Sequence, residues 1–89
     1  MLKLREENTF KKDLKRIKKR GKDIEKLKSI VKTLALKNPL PRKNKNHQLT
    51  GNYKGFHECH IEPDWLLIYH QTKTTLTLTR TGSHADLFK

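Results

Sequence analysis

The chain has little cysteine, no long apolar run and few acidic residues, and each shortage excludes a class of protein. The single cysteine, Cys59, rules out an internal disulfide and suits a reducing compartment, so we expect a cytoplasmic protein. No apolar stretch reaches the roughly 20 residues that a membrane-spanning helix needs, so we expect no membrane partner. Only 9 acidic residues oppose 21 lysines and arginines, which leaves a formal net charge of +12. This excess predicts a polyanionic partner, either nucleic acid or an acidic protein.

Positive charge and histidine lie in opposite halves of the chain. Residues 1–45 hold 17 lysines and arginines against 5 acids, whereas residues 46–89 hold 4 of each. All five histidines lie in the second half: His47, His57, His60, His70 and His84. Lysine and arginine attract phosphates, and histidine exchanges protons near neutral pH. The combination is what a small metal-free ribonuclease needs, although a plain nucleic-acid-binding domain could show it as well.

Helical periodicity runs through most of the first half. Apolar residues recur every three to four positions in two stretches, and each stretch has one apolar stripe on an otherwise basic cylinder. The signals that bound the two helices are a cap at Asn8 or Thr9 before Phe10, a stop at Gly21, a cap at Asp23 and a stop at Asn38-Pro39. We therefore predict a basic antiparallel helical hairpin, preceded by a short edge strand at Leu2 and Leu4.

The second half has the pattern of β-strands. The predicted strands are Tyr53–Ile61, Trp65–Tyr69 and Thr74–Arg80, with turns at Glu62–Asp64 and Gln71–Lys73. The segment Pro39–Gly51 is predicted to be an irregular loop, and Thr81–Ser83 to break the last strand before a tail or single helical turn at His84–Phe88. Helices followed by strands predict one α+β domain over residues 1–89, with the helices packed on one face of an antiparallel sheet.

Side chains that suit acid–base chemistry collect near the predicted strand ends. His60 and Asp64 flank the turn between two predicted strands, and His84 follows the third. RNA hydrolysis needs a base for the 2′-hydroxyl proton, an acid for the departing 5′-oxygen and a cation beside the phosphate. The residues that can supply all three are His60, Asp64, His84, His47 and Arg80.

Arg80 stands where the strand pattern predicts a core residue, on the same face as Leu76 and Leu78. A guanidinium is costly to bury without a partner. One interpretation is that the strand ends there and Arg80 reaches solvent or pairs with Asp64 or Glu62. The other is that Arg80 binds a phosphate at the end of the sheet, and the sequence leaves both open.

His57, Cys59 and His60 place three soft metal-binding donors within four residues. On a strand, however, His57 and Cys59 face one way and His60 the other. Their spacing also matches no zinc pattern of paired ligands. We therefore expect no metal and no cofactor, with a zinc-dependent nuclease as the alternative.

Two aromatic side chains are candidates for stacking on RNA bases. Trp65 begins a predicted strand beside Asp64, and Phe88 lies close to the C-terminus, where little would hold it in a core. The remaining aromatic residues are predicted to lie in the core.

Several segments taken together resemble the YafQ branch of the RelE-like toxins of bacterial toxin–antitoxin systems. They are His47-x-Leu49-x-Gly51, Lys54-Gly55, His60–Tyr69 and Arg80–Phe88. With the basic hairpin before them, the resemblance covers essentially the whole chain. It implies a compact α+β ribonuclease fold and an mRNA interferase that cuts mRNA in the ribosomal A site.

The resemblance also implies site residues and partners. The matching positions are His47, His60, Asp64, Arg80, His84 and Phe88, with Trp65 nearby and Lys54 among the RNA-binding residues. We expect His84 to be the leading acid–base group, with Arg80 on the phosphate and Phe88 and Trp65 on the base. The implied partners are mRNA on the 70S ribosome and a cognate antitoxin with an acidic binding segment, and we expect the free toxin to be a monomer. A non-catalytic basic RNA- or DNA-binding module is the alternative.

Overall fold

A computed structural model describes residues 1–51 and 54–88. The elements are β1 (Lys3–Glu6), α1 (Asn8–Lys19), α2 (Ile24–Ala35), a 3-10 turn (Arg42–Asn44), β2 (His47–Gln48), β3 (His57–Glu62), β4 (Trp65–Gln71), β5 (Thr75–Gly82) and α3 (His84–Leu87). The strands form one sheet in the order β1-β5-β4-β3-β2. The predicted α+β class is confirmed. No helix in the described part of the chain is long and apolar enough to cross a membrane.

The start of α1 differs from the predicted one. The helix begins at Asn8, and Glu7 occupies the cap position without a side-chain hydrogen bond to the helix. The Thr9 hydroxyl instead donates to the carbonyl oxygen of Thr79, at 2.8 Å. The predicted cap at Asn8 or Thr9 is therefore wrong, because the hydroxyl of Thr9 tethers the first turn of α1 to β5.

The junction between the two helices follows the prediction. Gly21 ends α1 with φ at +78°, a left-handed conformation that glycine adopts without strain. The amides of Gly21 and its successor donate back to the carbonyls of Lys18 and Ile17, which completes a Schellman turn. Asp23 then caps α2, since its carboxylate accepts from the backbone N–H of Glu25 at 3.0 Å.

The sheet is mixed, which refines the predicted antiparallel sheet. Strands β2 to β5 pair antiparallel, but β1 pairs parallel with β5, with Leu4 opposite Leu76. β1 is a short edge strand, and its Leu4 is 54% exposed between two charged neighbours. A short, charged edge of this kind discourages pairing with another chain.

The segment Pro39–Gly51 is more ordered than the irregular loop that was predicted. It contains the 3-10 turn, and the side-chain amide of Asn44 donates to the carbonyl of His60 at 2.7 Å. It also contains β2, in which His47 pairs with Glu58 of β3. The composition of the segment concealed this strand, because two residues are too few to show a period.

The three predicted strands are present with shifted ends. β3 begins at His57, while Lys54 and Gly55 form a turn; Tyr53, where the strand was predicted to begin, lies outside the described residues. β4 and β5 are longer than predicted. β5 continues through Thr81 and Gly82 because both residues still pair with β4.

Both faces of the sheet carry buried residues. On one face α1 and α2 cover a large core that includes Phe10, Ile17, Leu34, Trp65 and Tyr69. On the other face a small cluster forms from Leu66, Ile68 and Leu87, with Leu49 and Phe56 packed against it. This second face, called the open face below, lies beneath the single turn of α3 and the loops.

Candidate active site

The polar residues of β3 alternate onto the open face. Partners in an antiparallel pair share a face, and neighbours along a strand alternate. Glu58 is opposite Ile68, and His60 is opposite Leu66. Because Ile68 and Leu66 belong to the small cluster, Glu58 and His60 lie on the open face as well.

The backbone register places Arg80 on the open face, opposite Ile68. The prediction that Arg80 lies on the same face as Leu78 is therefore wrong. The pairing of β4 with β5 shifts by one residue, so that Tyr69 is opposite Leu78 but Ile68 is opposite Arg80. Thr79 is the extra residue of this bulge. A one-residue insertion reverses every later side chain, and it therefore moves Arg80 from the helix-covered face to the face of Ile68.

The Arg80 guanidinium is held by a carboxylate that the sequence analysis did not consider. Its Nε donates to Oδ2 of Asp13 at 2.6 Å, and its second terminal nitrogen donates to Oδ1 at 3.3 Å. The predicted partners, Asp64 and Glu62, make other contacts. Arg80 is thus aligned by α1, which lies along β5.

Asp13 is almost fully buried, at 3% exposure. It accepts from Arg80, from the backbone N–H of Thr81 at 3.1 Å and from Arg16. Its position could have been noticed in the sequence, because a carboxylate three residues after Phe10 and four before Ile17 falls on the apolar stripe of α1.

His84 and Asp64 form the most direct pair of the site. The ring Nδ1 of His84 lies 2.6 Å from Oδ1 of Asp64, and the backbone N–H of His84 donates to the same oxygen at 2.9 Å. These hydrogen bonds, the backbone one first, hold the pKa of Asp64 below its usual range. The carboxylate is therefore ionised and an acceptor, so that Nδ1 of His84 carries a proton and Nε2 is left to exchange one.

A second group of three side chains, His60, His47 and Glu58, lies beside the first. His60 has its Nε2 3.3 Å from a carboxylate oxygen of Glu58, and His47 has its Nε2 3.7 Å from the same oxygen. The Nδ1 of His47 bonds to the carbonyl of Lys45 at 2.7 Å. Glu58 is buried at 6% exposure and was missed in the sequence, although its two-residue spacing from His60 places both on one face of a strand.

The two groups meet through the imidazole rings of His60 and His84. The ring centroids of His60 and His84 are 5.6 Å apart, with the planes inclined at 62°. The structure thus brings together four of the predicted acid–base residues in one row with Glu58: His47, Glu58, His60, His84 and Asp64. Such a row can take a proton at one imidazole and deliver one at another.

The three predicted RNA-binding residues have different surroundings. Trp65 is fully buried, and its indole N–H donates to the hydroxyl of Thr81 at 2.9 Å, so the prediction that it stacks on a base is wrong. Phe88 is 41% exposed, and its backbone N–H donates to the carbonyl of His84 at 2.8 Å, which keeps it beside the site. Lys54 lines a groove of about 730 Å³, together with Phe56 and His70.

The cluster of soft donors in β3 is divided between the two faces of the sheet. Cys59 belongs to the helix-covered core, where burial is the main cause that raises the pKa of its thiol to about 12. The ring of His57 stacks on Tyr69 with centroids 5.3 Å apart. Within residues 1–51 and 54–88, three or more histidine, cysteine or acidic side chains nowhere converge as metal ligands would.

Comparisons of the sequence and of the structure with known proteins agree on one family. A family model for the bacterial toxin of type II toxin–antitoxin systems, YafQ, matches residues 2–89. The mRNA interferase toxin YafQ of Escherichia coli strain K12 is 48% identical over 81 residues, which span 89% of this chain and 87% of that protein. The crystal structure of YafQ from E. coli strain BL21(DE3) has a TM-score of 0.94 at 40% identity and covers 100% of both chains. YafQ in the E. coli DinJ–YafQ toxin–antitoxin complex has a TM-score of 0.92 at 42% identity, covering 99% of this chain and 98% of that one.

A basic helical hairpin on a five-stranded sheet, with histidines and carboxylates on the open face, is the architecture of a toxin from a bacterial toxin–antitoxin system. The chain belongs to the YafQ family of these toxins. The resemblance found in its sequence motifs is confirmed, and so is the predicted class of enzyme, an endoribonuclease toxin.

Proposed function

We propose that this chain is a ribosome-dependent endoribonuclease that cuts mRNA in the ribosomal A site and thereby inhibits translation. The observation that carries the proposal is the adjacency of His60 and His84, each beside its own carboxylate, on an open face of the sheet. Family membership supports mRNA as the substrate, because the E. coli relatives are named mRNA interferases.

The reaction that suits this site is a transesterification within RNA. The 2′-oxygen attacks the adjacent phosphorus and the bond from phosphorus to the 5′-oxygen breaks. One side chain takes the proton of the 2′-hydroxyl, and another gives a proton to the departing 5′-oxygen. The products are a 2′,3′-cyclic phosphate and a 5′-hydroxyl end, and the proton balance requires no metal ion.

His84 is the leading acid–base group in this proposal. Asp64 fixes the tautomer of His84 through Nδ1 and leaves Nε2 for proton exchange with RNA. Because its own pKa is lowered, Asp64 remains ionised and stabilises a positive charge that develops on the His84 ring. Asp64 therefore orients His84 rather than donating a proton itself.

His60 and His47 assist from the other end of the row. Glu58 places one buried negative charge between their rings, at 3.3 Å from His60 and 3.7 Å from His47. A buried carboxylate of this kind stabilises a protonated imidazole. This arrangement provides a second acid–base group, His60 or His47, beside His84.

The phosphate and the bases are bound by residues around the row. Arg80, which is opposite Ile68 in the sheet and whose guanidinium is held by Asp13, supplies the positive charge for the phosphate in this proposal. Phe88 offers a partly exposed ring beside His84 for stacking on a base. Lys54 lines the groove that Phe56 and His70 also line, and it adds a positive charge for contact with the RNA.

The helical hairpin is the part that docks on ribosomal RNA in this proposal. Its lysines and arginines are largely exposed and carry most of the net charge of +12. Charge reversal at Lys11, Lys12 and Lys15 should weaken ribosome binding and reduce its dependence on salt, since each phosphate contact contributes to the slope. Folding should be preserved, because these side chains are solvated.

A cognate antitoxin with an acidic binding segment completes the proposal. The E. coli relative is found in a complex with DinJ, and the basic surface of this chain suits a partner of opposite charge. The toxin is proposed to be a cytoplasmic monomer when free.

Primer-extension mapping of a reporter mRNA in a reconstituted translation system tests the proposed function. Wild-type protein should produce cuts in codon register that require ribosomes, and His84→Ala should abolish them. His57→Gln is a matched control, because this histidine stacks on Tyr69 outside the row. Both variants should bind ribosomes as the wild type does.

Two outcomes would favour other functions. Tight binding to ribosomes or RNA without any cutting by the wild-type protein would indicate a non-catalytic basic binding module. Cutting that a chelator abolishes would indicate a zinc-dependent nuclease, whereas the proposed mechanism predicts the same rate with and without chelator.

A further inference from the structure

The helix that carries His84 is too short to hold its own geometry. α3 comprises only His84–Leu87, a single turn. A helix of this length has no stability of its own, because nucleation costs more than one turn of hydrogen bonds returns. The position of the His84 ring must therefore be set by contacts that α3 makes with the rest of the protein.

Asp86 makes most of the polar contacts at the start of α3. Its Oδ2 accepts from the backbone N–H of Ser83 at 2.9 Å, and the Ser83 hydroxyl accepts from the backbone N–H of Asp86 at 3.1 Å. This is a reciprocal capping box that fixes the turn on which His84 is the first residue.

The Asp86 carboxylate also accepts two hydrogen bonds from Arg20, at the end of α1. One terminal nitrogen of Arg20 donates to Oδ2 of Asp86 at 2.6 Å and the other donates to Oδ1 at 3.0 Å, a two-pronged pair. Arg16 adds a longer contact, 3.8 Å from Oδ1. The two residues of the main pair lie 66 positions apart in the sequence.

Both ends of this contact are anchored. Arg20 is the C-terminal cap residue of α1, whose end is set by the Schellman turn at Gly21. Asp86 is pressed against the end of β5, since a Cβ added at Gly82 would lie 2.9 Å from its Oδ2. The close approach explains the need for glycine at this position. The hydrogen bonds from Arg20 and then Ser83 hold the pKa of Asp86 well below its usual range, so the carboxylate is charged at working pH.

We propose that Arg20 and Asp86 are positioning residues that clamp α3 to α1 and thereby place the His84 ring for catalysis. The ion pair holds the single turn of α3 against α1, which is fixed by its packing on the sheet, and so restricts the movement of α3. Neither residue touches the RNA in this role. The inference rests on the proposed function for its kinetic readout only.

The clamp should affect the rate of cutting more than the stability of the fold. The side chains of Arg20 and Asp86 are 44% and 11% exposed. Ion pairs near the surface contribute little to global stability. A small displacement of a catalytic group, in contrast, is costly for the rate. A clamp is therefore distinguished from general stabilisation by a lower rate without a lower melting temperature.

Single-turnover cleavage of ribosome-bound mRNA is the first measurement. Asp86→Asn retains an acceptor for the Ser83 amide but loses the charge that grips Arg20, and it should lower the rate constant roughly tenfold. Affinity for the ribosome should stay within about twofold. The double variant Arg20→Ala/Asp86→Ala should cut no more slowly than the slower of the two single alanine variants, because both substitutions remove the same ion pair. Arg20→Lys should recover part of the rate that Arg20→Ala loses.

A matched control is the ion-pair cluster at Glu62. Its carboxylate bridges Lys22 and Lys26, at 2.8 and 2.9 Å, and so links β3 to the helical hairpin without touching α3. Glu62→Gln removes an acid paired with two cations, as Asp86→Asn does. It should leave the rate constant unchanged.

The ring signals of His84 in a carbon-correlated NMR spectrum supply a readout that is independent of cutting. They should shift or broaden in Asp86→Asn and Arg20→Ala and stay in place in Glu62→Gln, while the His57 signals stay in place in all three variants. If the wild-type protein cuts no mRNA, the proposed function fails, and the NMR result still decides the clamp.

Three results would overturn the clamp. One is an unchanged rate and unchanged His84 signals in Asp86→Asn. Another is a loss of rate in Arg20→Ala that comes entirely from weaker ribosome binding while Asp86→Asn cuts normally, which would make Arg20 a phosphate contact. The third is a fall in melting temperature in Asp86→Asn that accounts for the whole loss of rate.

Discussion

One carboxylate oxygen of Asp64 accepts from both the ring Nδ1 and the backbone N–H of His84, at 2.6 and 2.9 Å. The pair joins the turn after β3 to the first residue of α3. Because the backbone hydrogen bond is the largest cause of the lowered pKa of Asp64, the carboxylate is charged even before the His84 ring takes a second proton. The two residues thus work as a unit in which Asp64 orients His84.

Asp64→Asn should lower the single-turnover rate of cutting by about a hundredfold. The amide oxygen can still accept one hydrogen bond from His84, but it carries no charge to stabilise a protonated ring. Ribosome binding should be unchanged. Glu25→Gln is a suitable control, because this exposed acid contacts only the neighbouring Lys28 at 3.8 Å among the ion pairs of the described chain. A rate within twofold of wild type would contradict the assigned role of Asp64.

Glu58→Gln should lower the rate of cutting by roughly tenfold, since the buried negative charge beside His60 and His47 is lost. The amide has nearly the same shape, so the sheet should remain intact and the circular dichroism spectrum unchanged. The rate is measured in the single-turnover assay with saturating protein. A normal rate would mean that Glu58 serves the packing of β3 and has no part in proton transfer.

Asp13→Ala should destabilise the fold by about 3 kcal/mol. The substitution leaves the Arg80 guanidinium without its carboxylate and the buried backbone N–H of Thr81 without its acceptor. Urea unfolding followed by circular dichroism measures the change. The same experiment on Asp23→Ala should show a smaller loss, because that exposed acid only caps α2. Equal losses would mean that Asp13 has no special role at the edge of β5.

The fluorescence emission of Trp65 should have the short wavelength of a buried indole, and it should not change when RNA binds. The indole is fully buried and its N–H donates to Thr81. Trp65→Phe should lower the free energy of unfolding by about 1–3 kcal/mol, because the Thr81 hydroxyl loses the hydrogen bond that the indole N–H donates to it. The affinity for RNA should be unchanged, because the buried indole does not contact RNA. Quenching of the Trp65 emission by bound RNA would restore the stacking role.

The free energy of unfolding should decrease as the pH falls through the range in which histidine ordinarily titrates, in part because of His57. Burial, followed by the nearby His70 and His47, lowers the pKa of His57 in the folded state. The unfolded chain therefore takes up this proton first, from about pH 6.5 downward, and the stability decreases until the folded pKa is passed. His57→Gln should flatten the curve of unfolding free energy between pH 7 and the lowered pKa. Parallel curves for the two proteins would contradict this assignment.

Local patterns in the sequence predicted the helices, the main strands and the clustering of His60, Asp64 and His84. Apolar spacing and capping residues act over a few positions, so Gly21 and Asp23 could be assigned directly. The turn between β3 and β4 brings neighbouring segments together, which is why residues that flank it meet in space. The family motifs lie in the same segments, and they added the type of enzyme.

Other features depend on contacts between segments far apart in the chain, and no local pattern encodes them. The bulge at Thr79 exists only in the pairing of β4 with β5, yet it decides which face Arg80 occupies. The burial of Trp65 follows from packing against the helices. The partnership of Asp86 with Arg20 needs the end of α1 to meet α3. Periodicity and caps therefore determined the elements and the candidate chemistry, whereas long-range register and packing decided which side chains touch.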